Sequence, residues 1–498
     1  MFEHRTMIAS VSTSHPSRRS FLKTTSGSLL SLSALACAVP KARRPFAPDE
    51  EIRVAVVGLN SRGRAHINGF KNLPNVRVVA LCDADSDVLA KEVARFTEAG
   101  EQVDGVHDYR DLLQRKDLHA VALATPNHLH ALQTVWACEA GLDVYVEKPV
   151  SHNFGEGERM VAAARKHGCI VQTGTQSRSS HAIRDAIAWM HAGNLGKIQL
   201  ARGFCYKPRK SIGKVFGPQA IPAQIDHDLW TGPAPLVPLN RKKLHYDWHW
   251  DSTTGNGDLG NQGVHQVDIC RWALGANDMP LTSLSIGGRL GYDDDGDTPN
   301  TQVLWAQYAE GPMLFEVRGL PRDAEAQKSN WAMGSYDGIR IGVIVECENG
   351  RLRIPTYTSA TAVDRDGNTI KEWKGANDHF GNFIDAMRSR KSTDLAADIE
   401  EGHRSATPCH FGVISHSLGQ PASAKAILKV SEADPALHDA VERMITHLVD
   451  NKVDLDKTPL TLGKRLYGKN GSLAETLASD QRTHAWLYRA GRPPFTIS

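Results

Sequence analysis

Two short stretches of this chain hold the residue types that proton and hydride chemistry needs. The first is Glu147-Lys148-Pro149, which follows the apolar alternation Val144-Tyr145-Val146. Proline removes a ladder donor and biases the residue before it towards extended backbone, so the Lys148 ammonium is aimed from a strand end. In open α/β sheets that is where ligands bind. The second stretch runs from Gly257 to Trp272. Helical spacing from Leu259 onwards would place Asn261, His265 and Asp268 at i, i+4 and i+7 on one face. An amide, an imidazole and a carboxylate on one stripe are costly to bury unless a polar ligand meets them. The plain alternatives are an exposed Glu–Lys loop cap for the first stretch and a satisfied polar helix face for the second.

The elements that must position these residues begin with Ile52 to Val57, a buried strand that runs into Gly58-Leu59-Asn60-Ser61-Arg62-Gly63 and then a helix from Ala65. Strand, glycine turn and helix form the context of a dinucleotide fingerprint, with main-chain N–H groups and a helix N-terminus facing the pyrophosphate. Asn60 replaces the central glycine, a mild departure because asparagine tolerates left-handed backbone better than most residues. A second strand, Val76 to Cys82, ends at Asp83, whose carboxylate should accept from ribose hydroxyls and repel a 2′-phosphate. NAD is therefore expected over NADP, and Asp85 is read as a solvated loop charge. Three further strands end in Thr125-Pro126-Asn127 with His128 and His130 following, in Glu147-Lys148-Pro149, and in Gly174 before Gln176 and Arg178. Helices are expected at His130–Ala140 and Glu156–His167. The two histidines lack an acidic partner and read as loop polars rather than metal ligands, so no metal is expected.

Repeated βα units predict an α/β fold: a Rossmann domain over residues 51–178 with helices on both sheet faces. A helix from Ser180 to Gly193 leads into an α+β domain over 179–420, with an open, mostly antiparallel sheet between Leu281 and Ile354. Asp293 to Asp297 reads as a hairpin tip. Helices are expected over His379–Arg390 and Ile399–Ser417, and a helical extension over 421–498 whose Arg492-Pro493-Pro494-Phe495 end docks. Tyr246-Asp247-Trp248-His249-Trp250-Asp251 is a dense aromatic cluster, read either as a sugar-stacking surface around Trp248 or as a loop anchored by buried tryptophans.

The first forty residues differ. Ser17-Arg18-Arg19-Ser20-Phe21-Leu22-Lys23 is a twin-arginine signal, followed by a short apolar run and Ala36-Cys37-Ala38, the small-x-small form of a cleavage site. Periplasmic or other export by the twin-arginine machinery, with residues 1–38 removed, is the expectation. Cys37 as a lipid-modified residue fits poorly, and no stable membrane insertion is expected. The chain has 58 basic and 56 acidic residues, and cleavage would remove Arg5, Arg18, Arg19 and Lys23 against Glu3. A near-neutral domain without a basic stripe argues against nucleic-acid and membrane-surface binding. Eight cysteines are scattered singly, which excludes a disulfide framework and a Cys-x-x-Cys metal site.

The glycine turn, Thr125-Pro126-Asn127 with His130, Glu147-Lys148-Pro149 and Gly263-Val264-His265 together resemble the glucose–fructose oxidoreductase / inositol dehydrogenase / MocA family. The likeness covers roughly Ile52 to Trp272 and, more loosely, Asn377 onwards, and is strongest to exported members. It implies that the His265 face opposes Lys148 across a cofactor cleft, and that the late helices return to pack on the first domain. It implies cofactor binding by Gly58, Asn60, Ser61, Arg62, Gly63, Asp83, Thr125, Asn127, His130, Glu147, Lys148 and Gln176. His265 is expected as general base/acid oriented by Asp268, with Lys148 on the same hydroxyl. Arg178, Trp248, Asn261 and His265 are the candidate substrate contacts; family dehydrogenases often have aspartate where Asn261 stands. The expected substrate is a carbohydrate or cyclitol, the expected assembly a homo-oligomer. Three functions stay open: a sugar or cyclitol oxidoreductase, a redox-neutral NAD-dependent glycosidase, and a non-catalytic carbohydrate-binding protein. A cofactor exported with its protein should be tightly held.

Overall fold

The computed structural model describes residues 44–468, 473–479 and 481–497. The twin-arginine segment and Cys37 lie outside these residues.

Six parallel strands form the first layer. They are β1 (Ile52–Val57), β2 (Val76–Cys82), β3 (Asp104–Val106), β4 (Ala120–Leu123), β5 (Asp143–Val146) and β6 (Val171–Thr173), in the order β3-β2-β1-β4-β5-β6. Helices α1 (Arg62–Lys71), α2 (Ser86–Glu98), the short α3 (Tyr109–Leu112), α4 (Asn127–Glu139) and α5 (Phe154–His167) connect them. β4 and β5 are buried along their whole length, as parallel strands covered on both faces must be. The order reverses between β1 and β4, which opens a crevice over their carboxyl ends. α4 starts at Asn127, earlier than the apolar spacing suggests. Its first turn carries Asn127 and His128, buried polar residues bonded to loops beyond the helix, so no apolar pattern marks them.

The second layer begins with α6 (His181–Trp189) and β7 (Ile198–Cys205), then short helices α7 (His227–Thr231) and α8 (Gly257–Asn261), and α9 (Gly263–Leu274). β8 (Thr282–Gly288), β9 (Thr301–Gln307), β10 (Pro312–Arg318), the single turn α10 (Ala324–Lys328), β11 (Ile341–Cys347), β12 (Gly350–Thr356), β13 (Ser359–Asp364) and β14 (Thr369–Lys374) follow. The chain closes with α11 (His379–Ser389), α12 (Ile399–Ser417), β15 (Gln420–Ala422), α13 (Ala424–Ser431), α14 (Pro435–Asp450), β16 (Leu460–Leu462), β17 (Leu466–Tyr467), α15 (Leu473–Ser479) and α16 (Gln481–Leu487). The sheet runs β14-β13-β12-β11-β7-β10-β9-β8-β16-β15, with β17 also beside β8. Among the described residues of this sheet, β7 and β10 alone pair in parallel. The fold is thus α/β, a Rossmann layer followed by a mixed, mostly antiparallel sheet.

Period-two alternation assigns β9 and β10 to two cores at once. Leu304, Ala306, Met313 and Phe315 join the core that contains Val267 of α9 and Ala406 of α12. Val303, Trp305 and Leu314 pack instead with Leu437, Val441 and Met444 of α14. The extension after 420 is therefore not wholly helical: β15, β16 and β17 lengthen the sheet, in pieces of two or three residues that no periodicity can announce. Fully buried Glu316 faces α14 and accepts from Arg443 (2.7 Å), Arg318 (2.9 Å) and the Tyr206 hydroxyl (2.9 Å). α11 returns to the first layer, where Phe380 stacks on Tyr145 at 5.0 Å. Asp293 to Asp297 is not a free hairpin tip. Asp294 accepts from Arg289 and from Ile212 N, and Asp295 from Val215 N, so the acidic run ties down residues 211–215. No helix among the described residues is long and apolar enough to cross a membrane.

Candidate active site and cofactor cleft

The cleft over β1, β2 and β4 has a volume of about 420 Å³ and includes Gly58 to Arg62, Asp83, Thr125, Trp136, Trp248 and Phe495 in its lining. Gly58 turns at φ +80°, and a Cβ there would stand 2.8 Å from Thr125 N. A Cβ on Gly63 would lie 1.8 Å from Gly58 O, so both positions need glycine for the turn to close. Ser61, not Asn60, takes the left-handed backbone, at φ +47°. Ser61 caps α1 without a side-chain bond, and the helix has no acid in its first turn, which leaves its N-terminal N–H groups to an anion. Asp83 accepts from Leu59 N (2.8 Å) and Asp85 N (3.0 Å), so it holds the turn while its remaining lone pairs face the cleft. Burial raises its pKa and those two N–H groups oppose the rise. These features fit a dinucleotide.

Asp85 is not solvated. It is 3% exposed, caps α2 through Asp87 N and Val88 N, and meets His245 Nε2 at 2.9 Å. His245 belongs to a strap from the second layer that crosses the cleft. Asp226 N donates to Ala84 O and Ser86 N to Gln224 O, both at 2.9 Å. Trp230 and Trp248 from the strap line the cleft. Trp248 therefore faces the cofactor cleft rather than a separate sugar surface, because it packs in the cluster of Ile225, Trp230 and Leu244. Phe495 completes the roof. It is 3% exposed and stacks on Trp136, whose Nε1 donates to Thr496 O (3.3 Å).

Several residues expected to touch cofactor hold the frame of the cleft. Glu147 is buried and accepts from Arg62 Nε (2.6 Å) and Gln176 Nε2 (3.3 Å), with His66 Nε2 at 3.1 Å. Burial alone would raise its pKa, but the Arg62 guanidinium and His66 hold it well below the usual carboxylate range. His130 spans Thr125 O (2.8 Å) and Pro149 O (2.6 Å), stapling the loop after β4 to the loop after β5. Thr125 Oγ1 donates to Gln133 Oε1 (2.7 Å), and Asn127 Nδ2 to Asn256 Oδ1 (3.2 Å). His128 lies between Trp230 O and Thr254 O, so it pins the strap to α4.

The catalytic candidates meet where the two layers touch. The Lys148–Pro149 bond is cis, and Lys148 Nζ donates to Asn261 O at 2.7 Å. That oxygen ends α8, and the break at Gln262 separates it from α9, which begins at Gly263. Asn261 thus contributes its main chain here and does not share a continuous helix face with His265. Burial lowers the pKa of Lys148, and that of His265 well below its ordinary value, with the Lys148 ammonium pushing the imidazole further down. His265 Nδ1 has no hydrogen-bond partner among the described residues.

Asp268 does not orient His265. Its carboxylate accepts from Arg178 Nε (2.8 Å and 3.0 Å) and Ser405 Oγ (2.6 Å), on the side of α9 that faces α12. Arg178 is committed to Asp268 and to Glu401 (3.1 Å), so it is a clamp beneath α9 rather than a substrate contact. Two features escaped the sequence. Tyr357 lies in the turn between β12 and β13, its ring 4.9 Å from that of His265, and its hydroxyl accepts from Gln262 Nε2 (3.0 Å). Arg209 grips fully buried Asp258 through two bonds of 3.0 and 2.8 Å, near enough for both charges to act on Lys148.

Comparison with known proteins agrees with this architecture. Residues 52–175 match the model of an oxidoreductase family with an NAD-binding Rossmann fold, and residues 186–326 match the C-terminal alpha/beta domain of the same oxidoreductase family. The chain is similar to levoglucosan dehydrogenase of Pseudarthrobacter phenanthrenivorans, at 25% identity over 45% of this chain and 52% of the relative. It is also similar to 2,7-anhydro-N-acetylneuraminate hydratase of Mediterraneibacter gnavus (29%; 51% of this chain, 58% of the relative). A glycosyl hydrolase family 109 protein of Streptomyces filamentosus matches at 30% (34% of this chain, 36% of the relative). The matches thus span about a third to just over half of these relatives' lengths. In fold the chain is similar to the WlbA dehydrogenase of Bordetella pertussis, solved with NADH and UDP-GlcNAcA. The TM-score is 0.53 at 18% identity, over 72% of this chain and 93% of that one. The chain belongs to the glucose–fructose oxidoreductase / inositol dehydrogenase / MocA family of NAD-binding oxidoreductases.

Proposed function

We propose that this chain is an exported enzyme that oxidises a carbinol of a sugar, glycoside or cyclitol with an NAD that it retains. The observation that carries the reading is the meeting of Lys148 and His265 beside a glycine-turn cleft that contains Asp83. When bound, NAD supplies a hydride acceptor for the carbinol carbon. Gly58 to Gly63 and the α1 N-terminus would hold its pyrophosphate and Asp83 its adenosine ribose, in preference to NADP. Burial keeps the His265 imidazole neutral, so the ring accepts the hydroxyl proton. Lys148 holds the positive charge of the pair and, fixed on Asn261 O, orients the same hydroxyl. Tyr357 sets the plane of His265 by ring contact.

A second reading, redox-neutral cleavage of a glycosidic bond, is favoured by the roof over the cleft. The strap residues Trp230, His245 and Trp248, together with Phe495, line the cleft in which a dinucleotide would sit. A cofactor that stays must return to its starting state in each turnover. The twin-arginine pattern points the same way, since folded export allows loading in the cytosol before release to the periplasm. Relatives named as a hydratase and as glycosyl hydrolases are compatible with such chemistry.

The test is to denature protein purified without added cofactor and quantify released NAD(H), then screen glycosides and cyclitols for products by mass. Near-stoichiometric nucleotide and glycoside cleavage without accumulating NADH support retention and the redox-neutral reading. An empty protein that rapidly exchanges NAD and releases NADH overturns retention. No product with any carbohydrate or cyclitol overturns the substrate class.

A further inference from the structure

A second cavity, of about 320 Å³, shares no lining residue with the cofactor cleft and includes none of Lys148, His265 or Tyr357. It reaches the lower end of the about 300–1,000 Å³ typical of small-molecule sites. His152 and Asn153 before α5, His410 and His416 from α12, Trp486 of α16 and Arg489 stand around it. His152 Nε2 donates to Gly255 O (3.3 Å) and His410 Nε2 to Ser151 O (3.2 Å). A carbonyl oxygen only accepts, so each ring carries its proton on Nε2 and presents a bare Nδ1. Burial holds the His152 ring well below its ordinary pKa and brings His410 and His416 to about 4, so all three stay neutral.

Within the described residues no partner meets Nδ1 of His152, His410 or His416. His410 and Asn153 are only 4% and 5% exposed. Asn153 spends its Oδ1 on Glu156 N (3.0 Å) as the cap of α5 and its amide on the Glu156 carboxylate, so the donor in the lining is Arg489 Nη2. Arg489 donates to Thr253 O (2.7 Å) and Asp297 accepts from Ser252 N (2.7 Å); with one cation and one carboxylate the lining is close to neutral overall. A buried polar group without a partner is costly, and an apolar ligand would leave that cost uncompensated. No group of three or more metal-ligating side chains occurs among the described residues. A ligand with hydroxyls suits the mixture, because each hydroxyl both donates and accepts. Trp486, 42% exposed, offers an indole face for the C–H face of such a ring.

We propose that this cavity binds a neutral monosaccharide unit, distinct from the ring that reacts beside Lys148. Its wall is hydrogen-bonded to the start of α4, next to Thr125 and Pro126 of the cofactor cleft. Asn256 donates to His152 O (3.0 Å) while accepting from Asn127 (3.2 Å), so a sugar seated here braces the first turn of α4. The proposal stands on this lining alone and does not require the chemistry at Lys148.

The experiment is hydrogen exchange on the NAD-loaded full chain with glucose, galactose or N-acetylglucosamine at millimolar concentration. At least one of the three is expected to slow exchange in peptides covering 252–256, 408–418 and 483–490. That protection should be lost in Trp486→Ala, a change at the exposed mouth, and in His410→Gln, with bound NAD unchanged in Trp486→Ala. No protection there from any of the three overturns the site, as does protection that survives Trp486→Ala. Protection confined to 145–150 and 257–266 also overturns it, by assigning the sugar to the reaction centre. Because that centre is read by its own peptides and by product formation, the two proposals fail separately.

Discussion

Lys148 Nζ donates to the main-chain oxygen of Asn261, a 2.7 Å bond between the end of β5 and the break that separates α8 from α9. The oxygen ends a helix and has no intrahelical donor of its own, so the ammonium satisfies it while keeping its other protons for a ligand. His265 stands one turn further along, where the Lys148 charge, after burial, disfavours protonation of the imidazole.

From this coupling, Lys148→Ala and His265→Ala should each lower turnover roughly 10²- to 10⁴-fold, the usual contribution of a positioned acid or base. NAD content and the unfolding midpoint of His265→Ala should change little. Steady-state rates on whichever glycoside or cyclitol is turned over, with calorimetry alongside, check both. A loss below tenfold in both variants would place the proton transfer elsewhere.

Asp83 meets the cleft with a carboxylate that already holds Leu59 N. Titration of cofactor-stripped protein should show tighter binding of NAD than of NADP. Asp83→Ala should weaken NAD roughly ten- to a hundredfold, the cost of one or two charge-assisted hydrogen bonds. Equal affinities in the parent protein would remove Asp83 as the discriminating group.

Asp268→Asn separates positioning of the ring from support of the helix. Asp268 is 1% exposed and paired with Arg178, and weakening a buried pair from one side costs up to about 3–5 kcal/mol. The expected result is a lowered denaturation midpoint with the pH profile of kcat unmoved. A shifted profile at full stability would instead mean that Asp268 acts on His265 after all.

Phe495 closes the cleft with an apolar ring worth about 1.5–3 kcal/mol when buried. Phe495→Ala is therefore expected to speed NAD release roughly ten- to a hundredfold, measured by chasing bound NAD with a fluorescent analogue. Unchanged release would show that the strap alone retains the cofactor.

Acid should destabilise this protein early. Burial lowers the pKa of His128 and His403 to about 3, and of His249, His379 and His410 to about 4, from an ordinary 6.5. In the unfolded chain these rings take up protons as pH falls through 6.5, while the folded protein refuses them until about 4. The stability they contribute is present above 6.5 and is lost through that window, at roughly 1.4 kcal/mol per pH unit for each proton. Denaturant midpoints between pH 7.5 and 5 should fall steadily; a flat profile would mean that these rings are protonated in the folded state.

The Rossmann layer was legible because its signals are local. Gly58, Gly63 and Asp83 sit at strand ends where a few residues decide the geometry, and β4 and β5 are continuous apolar runs. What stayed hidden depends on distant contacts. Asn261 and His265 look like one helix face until Gln262 breaks the helix, and Asp268 looks free until Arg178 takes it. Tyr357 reaches His265 only through the register of a hairpin, far along the chain from Gln262. Arg492-Pro493-Pro494-Phe495 announced an end that docks, but the place of Phe495 over Trp136 depends on how the whole tail packs.

One strand has a consequence for modularity. Leu314 of β10 packs in the cluster of α14, Phe315 fills the space that a side chain on Gly263 would need (2.5 Å), and Glu316 holds Arg443. Neighbouring residues of one strand thus support the helix that bears His265 and anchor the C-terminal extension. A chimera that exchanges the extension for that of a relative has to carry β10 with it, and then inherits that relative's packing against Gly263. Recombination here has no seam between scaffold and reaction centre.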